Sequence, residues 1–403
     1  MAERAEVVIV GAGPAGSATA IHLARAGHAV TLLDRARFPR EKACSEYLSP
    51  ETVRHLATLG VLDTLDAQGR TALEGTRVRA AHGASLLGRF ADAGGTPYRS
   101  TGLAMPRRIL DATLLDAARA AGVTVHEATT LRVLSAMGPH GRTLTLEDHD
   151  GHRRDLTARA VVGADGLRSV VARQAGLHRQ GWLKRVAFVA HVERVTGLGR
   201  VAEMHVGEQG YVGLNPLGDN VANVALVVPA TLAATARGDA VGFFHRQLAT
   251  LPGVRGRVDA ARTVREVMVT GPFAANCRQS TADGMLLVGD AADFFDPFTG
   301  EGVCTALAGA ALAAETLGEA LTASGPITAR HLAGYRTARR RAFLGKWIVE
   351  RLIGYSMLAP RLFDRAVARL DRRGMADTLI GVTGDFVSPW RVVNPWFLGR
   401  MVV

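Results

Sequence analysis

At 403 residues with 48% hydrophobic side chains, the chain can bury a large core across two or three domains, which excludes a disordered or fibrous protein. Its net charge of +11 comes almost wholly from arginine, the only lysines being Lys42, Lys184 and Lys346, and it attracts anions without dictating a fold. The arginines form no stripe interleaved with aromatics, so nucleic acid is not an expected partner, and three widely spaced cysteines (Cys44, Cys277, Cys304) offer neither a disulfide framework nor a metal site.

The opening "MAERAEVVIVGAG" runs straight into an apolar strand with no secretory pattern, and no apolar run is long enough to span a bilayer, so a cytoplasmic protein is expected. "EVVIV", "GAGPAG" and "SATAIHLARAGHAVTLLDR" read as strand, tight turn, helix and strand. In that turn Gly11 permits the sharp bend, Gly13 lets backbone approach a pyrophosphate, and Gly16 allows the helix to pack closely on the strand. Pro14 suits the first helical turn, whose free N–H groups attract phosphate. Asp34, 18 residues after Gly16 at the end of the second strand, is placed to accept ribose hydroxyls.

Farther on, "AVVGADG" and "GMLLVGDAAD" are apolar strands ending in Asp-Gly and Gly-Asp, each followed by helical sequence. They extend an α/β sheet that binds its ligand along one edge. Between these motifs, residues 73–105 carry short strands and 181–275 alternate like an antiparallel sheet. The expected organisation is a discontinuous, Rossmann-type cofactor domain (1–72, 106–180 and 276–330) with an inserted antiparallel β-sheet substrate domain (73–105 and 181–275). A C-terminal helical region follows (331–403). In it "YRTARRRAFLGKWIVERLIGY" sets Arg339, Arg340 and Arg341 beside Phe343, Trp347, Ile348 and Leu352. That stretch reads as a helix packing its apolar stripe on the cofactor domain, with peripheral contact to an anionic membrane as the alternative.

"AVVGADGLRSVVARQAG" and "GMLLVGDAADFFDPFTGEGVCTAL" resemble the Asp-Gly and Gly-Asp motifs of FAD-dependent oxidoreductases built on the aromatic-hydroxylase fold. "FPREKACSEYLSP" and "MPRRILDATLL" are similar to stretches of that superfamily's geranylgeranyl reductase group, and the resemblance covers residues 5 to 320. It implies bound FAD. Ala15, Asp34 and Arg35 would meet the adenosine half, Arg107 the cofactor, and Leu131 would make a backbone contact. Cys44 and Ser45 would pass the flavin, Ser45 replacing a usual glycine, while Asp165 would support the cleft. Gly289 and Asp290 would bind ribose or ribityl hydroxyls; Pro297, Gly300, Gly302 and Val303 would wrap the ring. The helix after Gly302 would aim its positive end at the negative charge of reduced flavin.

No second G-x-G-x-x-G turn follows a strand, so electrons are expected from transient NADPH or NADH, or from an electron-donor protein. "YVGLNP" keeps Tyr211 and Pro216 of the prenyl reductases' aromatic signature but has Gly213 and Asn215 at its two large positions. The expected reaction is therefore hydroxylation of a hydrophobic, phenolic or polyketide-like small molecule with reduced flavin and O2. Reduction of an isoprenoid carbon–carbon double bond is the second reading; halogenation and FAD binding without turnover stand behind it. Cys44, Tyr211, His191 and Asp293 are the candidates for handling a substrate proton.

Overall fold

In the computed structural model, which describes residues 3–68 and 71–402, the first strand, Glu3–Val10, lies at the centre of an eight-stranded sheet. Parallel partners Val30–Leu33 and Arg153–Gly163 flank it, and Met285–Leu287 and Thr124–His126 extend the parallel set. These strands read as unbroken apolar runs because both faces are covered, one by helices and the other by Leu131, Leu144 and Leu146 of the strands Thr130–Leu134 and Arg142–Glu147 with the short helix Val170–Gln174: Val7, Val8 and Ile9 are fully buried. On one face the helices Pro14–Arg25 and Gly302–Thr322 pack together through Ala15, Ala18, Ala306, Ala310 and Ala313, whose small side chains permit close approach. The carboxyl ends of Glu3–Val10, Arg153–Gly163 and Met285–Leu287 open into the three glycine-bearing turns singled out by sequence. The fold is the expected mixed α/β architecture with a C-terminal helical region.

A second, seven-stranded sheet is ordered Thr263–Thr270, Arg185–Glu193, Val221–Pro229, Tyr211–Gly218, Ala202–Val206, Gly75–Arg79, Ser85–Arg89. Its pairs are antiparallel except Ala202–Val206 with Gly75–Arg79. Two features differ from the expected pattern of the segment 181–275. Arg185–Glu193 is buried on both faces, and a helix, Ala240–Thr250, covers the far side with Phe243, Phe244 and Leu248 against Phe188, Ala190 and Val192. Alternation is lost where both faces find apolar cover. The strand Gly102–Ala104 pairs with Tyr47–Leu48 and Thr71–Leu73, and His178–Gln180 and Asp293–Phe294 both pair with Ala275–Cys277, so two small sheets stitch the large ones together.

The C-terminal helices Ala333–Ser356, Pro360–Arg372 and Ala376–Thr383 wrap both layers. Arg339 and Phe343 turn inward, with the guanidinium over the rings of Tyr335, Phe343 and Trp347 at 5.7–5.8 Å. Of this cluster Arg339 and Phe343 therefore serve packing, through cation–π contact, while Arg340, Arg341 and Leu352 stay exposed.

On Ala202–Val206, residues two apart share a face, which brings Glu203 against His205 (2.7 Å), and Arg257 closes on the same carboxylate at 2.7 Å. Burial opposes the charge of Glu203, but the hydrogen bonds and charges of His205 and Arg257 prevail and hold its carboxyl down at about 2. A depressed folded value makes this stabilisation fully present above the ordinary 4.5 and progressively lost as pH falls toward 2. Glu203→Gln should accordingly flatten the fall in melting temperature between pH 5 and pH 3; a melting curve with the unsubstituted protein's acid dependence would contradict it.

Candidate active site

At Gly11 the backbone takes φ +103°, and a Cβ on Gly16 would lie 1.8 Å from the Gly11 carbonyl oxygen, so the turn closes only with glycine at both places. Asp34 ties it down, its carboxylate accepting from the N–H groups of Ala12 (2.8 Å) and Ala36 (2.9 Å). Gly13 faces open space bounded by two guanidinium groups: a Cβ there would lie 3.7 Å from Arg40 and 3.9 Å from Arg107. Arg107 is held by a two-pronged pair with Asp111 (2.7 Å for each bond), which Arg40 also meets at 3.1 Å. A helix start with two arginines before it is a cradle for a pyrophosphate.

From this cradle a cleft of about 1450 Å³, counted to its open mouth, runs between the two large sheets. Gly13, Ala15, Cys44, Ser45, Arg107, Asp290, Pro297, Gly300, Gly302 and Val303, each expected at the cofactor, line it, as does Tyr211. One wall comes from the seven-stranded sheet (Ala187, Val189, Ala202, Met204, Ala225, Val227), and Phe273, Phe294 and Phe298 add aromatic surface. Gly300, at φ +72°, lies so close to the ring of Tyr47 that a Cβ would sit 2.7 Å from it. Burial pushes Asp290 up, while burial and the neighbouring Arg107 bring Lys42 down.

Four of the expected residues shape the cleft from behind. Gly11, Gly16 and Asp34 form the turn, and Asp165 accepts from the N–H of Val170 (2.6 Å), fixing the helix that follows the Asp-Gly motif. Its second oxygen is buried without a hydrogen-bond partner among the described residues, and burial raises its carboxyl. Gly289, at φ +62°, bends the chain beside Ala15. The side chain of Leu131 lies in the core with Leu144 and Leu146, and Arg35 is exposed.

The proton-handling candidates separate. Cys44 and Tyr211 face the cleft. His191 does not line it: its Nε2 is 2.6 Å from the Glu46 carboxylate, so it positions the loop rather than meeting substrate. Asp293 belongs to an adjoining hollow with Lys346 and Glu350, and burial raises its carboxyl. Tyr211 donates to Asp296 (2.7 Å), and burial together with that carboxylate pushes its hydroxyl well above the ordinary range.

Sequence reading missed Glu46, the fully buried centre of the loop that carries Cys44. At φ +58° it accepts from the Arg107 N–H (2.9 Å) and Asn223 (3.0 Å), meets His191, and lies 3.4 Å from Arg265. Burial opposes its charge, but His191, the Arg107 N–H and Arg265 hold its carboxyl below the ordinary range. Asn215 and Asn223 donate to the carbonyls of Ser45 and Cys44, each at 2.8 Å. The asparagine read as a missing aromatic thus clamps the loop against the cleft, and Ser45 in place of glycine still lines it. Beneath the ring-wrapping turn, Lys346 pairs with Glu301 (3.4 Å) and Asp385, joining that turn to the C-terminal region.

The turn, the arginine cradle and the glycine-lined loop define a dinucleotide-binding flavoprotein. The FAD binding domain family matches residues 4–345, and the chain belongs to it. It is 29% identical to the menaquinone reductase of Mycolicibacterium smegmatis, over 85% of each chain. It is 29% identical to the digeranylgeranylglycerophospholipid reductase of Methanothrix thermoacetophila, over 94% of this chain and 96% of that one. It is 31% identical to a second such reductase from Methanopyrus kandleri, over 78% and 77%. In fold it is similar to a flavoprotein/dehydrogenase of Cytophaga hutchinsonii (TM-score 0.80, 21% identity, 99% and 96% covered). The myxobacterial chondrochloren halogenase shares it too (TM-score 0.79, 24%, 88% and 83%). The protein is an FAD-dependent oxidoreductase, and the resemblance to the geranylgeranyl reductase group stands. The donor set fits the cofactor: cationic groups at Gly13, amide oxygens of Asn215 and Asn223 in the cleft wall without a partner among the described residues, and a ring-wrapping turn that tolerates no side chain at Gly300.

Proposed function

We propose that this enzyme reduces a carbon–carbon double bond in the isoprenoid chain of a lipid or quinone. The observation that carries the reading is the sheet wall of the cleft, where Ala187, Ala202, Gly213 and Ala225 leave an apolar trough beside the flavin loop. Phe273, Phe294 and Phe298 supply from other elements the aromatic surface that Gly213 and Asn215 do not. Relatives named as reductases of menaquinone and of a digeranylgeranylglycerophospholipid support it over the hydroxylation expected from sequence. Electrons come from NADPH, NADH or a donor protein.

Bound and reduced, FAD supplies a hydride to one alkene carbon. The chain must hold the alkene against the ring, exclude water and deliver a proton to the other carbon. Tyr211 has already committed its proton to Asp296. Cys44 is better placed, because it lines the cleft together with Arg107. The asparagine clamps fix its height above the cleft floor.

The test is product analysis after turnover in D2O without oxygen, with a menaquinone or a geranylgeranylated lipid as substrate. The expected product gains two hydrogens, the one delivered by the protein being deuterium. A product that gains an oxygen atom, and forms only when O2 is admitted, would return the reaction to hydroxylation.

A further inference from the structure

A second groove, about 970 Å³ to its open mouth, lies beyond Tyr211, and that side chain lines both it and the cleft. Its rim is unusually apolar for a surface. Trp182 and Leu358 line it and are 67% and 52% exposed; Trp182 stacks on Tyr355 with ring centroids 5.5 Å apart, and Leu362, 51% exposed, follows four residues after Leu358. Lys184 in the groove lining, and Arg361 and Arg365 on the helix Pro360–Arg372 that begins two residues after Leu358, are exposed and make no ion pair among the described residues. Arg361 and Arg365, four residues apart on Pro360–Arg372, share a helix face, while Phe363, Val367 and Leu370 anchor the helix to the core. The nearby acids are engaged: Glu208 pairs with His82 (3.2 Å), and Asp364 accepts from the N–H groups of His82 and Ala84.

We propose that this rim docks on an anionic lipid bilayer, with the indole, phenol and leucine side chains entering the interface and the three cations meeting headgroup phosphates. Amphipathic aromatic rings with aliphatic side chains inside a border of unpaired cations are what such an interface binds. The overall positive charge draws the protein to that surface. The inference rests on the reductase reading for its purpose: a lipid substrate leaves the bilayer at a groove separated from the cleft by Tyr211.

Co-sedimentation with phosphatidylcholine vesicles, with and without phosphatidylglycerol, tests it. The protein should sediment only with the anionic vesicles at low salt and be released at high salt. Arg361→Gln with Arg365→Gln should weaken partitioning by roughly thirtyfold, and Leu358→Asp with Leu362→Asp should abolish it. Spin-labelled lipid should quench indole emission in the unsubstituted protein and much less in Trp182→Phe, which leaves packing intact. A protein that stays in the supernatant at low salt, or variants that sediment and quench unchanged, would overturn the docking face. The assay contains neither substrate nor electron donor. Vesicle binding by a protein that reduces no prenyl chain would sink the reductase reading alone, and reduction of a detergent-dispersed lipid without vesicle binding would sink the docking face alone.

Discussion

Gly16→Ala should yield a protein that carries no flavin. The added methyl would meet the Gly11 carbonyl oxygen at 1.8 Å and that residue's carbonyl carbon at 3.0 Å, both backbone atoms held by the parallel strands on either side. No side-chain adjustment relieves such an overlap, so the helix must withdraw from the strand end. Its N–H groups and the space at Gly13 then leave the reach of Arg40 and Arg107 together. Overpacking in a rigid interior costs roughly 1–3 kcal/mol, so the chain should still fold, with its melting temperature lowered. The flavin absorbance of purified protein checks the first expectation; full flavin content in Gly16→Ala would show that this turn does not hold the pyrophosphate.

Cys44→Ala should slow alkene reduction about 10²- to 10⁴-fold, the usual span for losing a positioned proton donor, while flavin content and substrate KM stay near their original values. The loop itself is held by the side-chain amides of Asn215 and Asn223, which donate to the carbonyls of Ser45 and Cys44, and by the Glu46 carboxylate; the thiol adds only a long contact with the Glu46 N–H (3.5 Å). Cys44→Ser, which keeps a proton at that position, should recover part of the rate. Tyr211→Phe should act differently, since it removes a donor to Asp296, whose other oxygen Arg185 still holds at 2.8 Å. Single-turnover rates of the three variants with the same isoprenoid substrate separate these roles, and a Cys44→Ala rate within a few fold of the original would remove the thiol from the chemistry.

The cofactor half of the molecule was legible because its chemistry is written in contiguous sequence. A glycine turn between an apolar strand and an alanine-rich helix has one main physical use, and Gly11, Gly13, Gly16, Asp34 and the 289–303 stretch could each be read locally. The substrate half was less so. Glu46 and His191 are 145 residues apart, and their contact exists only once the seven-stranded sheet lies over the Cys44 loop. Nothing local marks Glu46 as buried, although an acid two residues after a flavin-loop cysteine was a signal that could have been weighed. Asn215 read as a loss of aromatic surface because its partner, the Ser45 carbonyl, belongs to another element. Arg339 misled for a similar reason: three consecutive arginines look like a surface, yet helical rotation points one of them at the rings of Tyr335, Phe343 and Trp347.

The most direct test of the central claim is anaerobic mixing of the reduced enzyme with a geranylgeranylated lipid that carries no quinone ring, since a quinone would itself oxidise the flavin, while flavin absorbance is followed. The reductase reading predicts reoxidation in the absence of O2, stoichiometric with added alkene and abolished when a fully saturated chain replaces it. Flavin that stays reduced with every prenyl substrate, and reoxidises only when O2 is admitted, would contradict it.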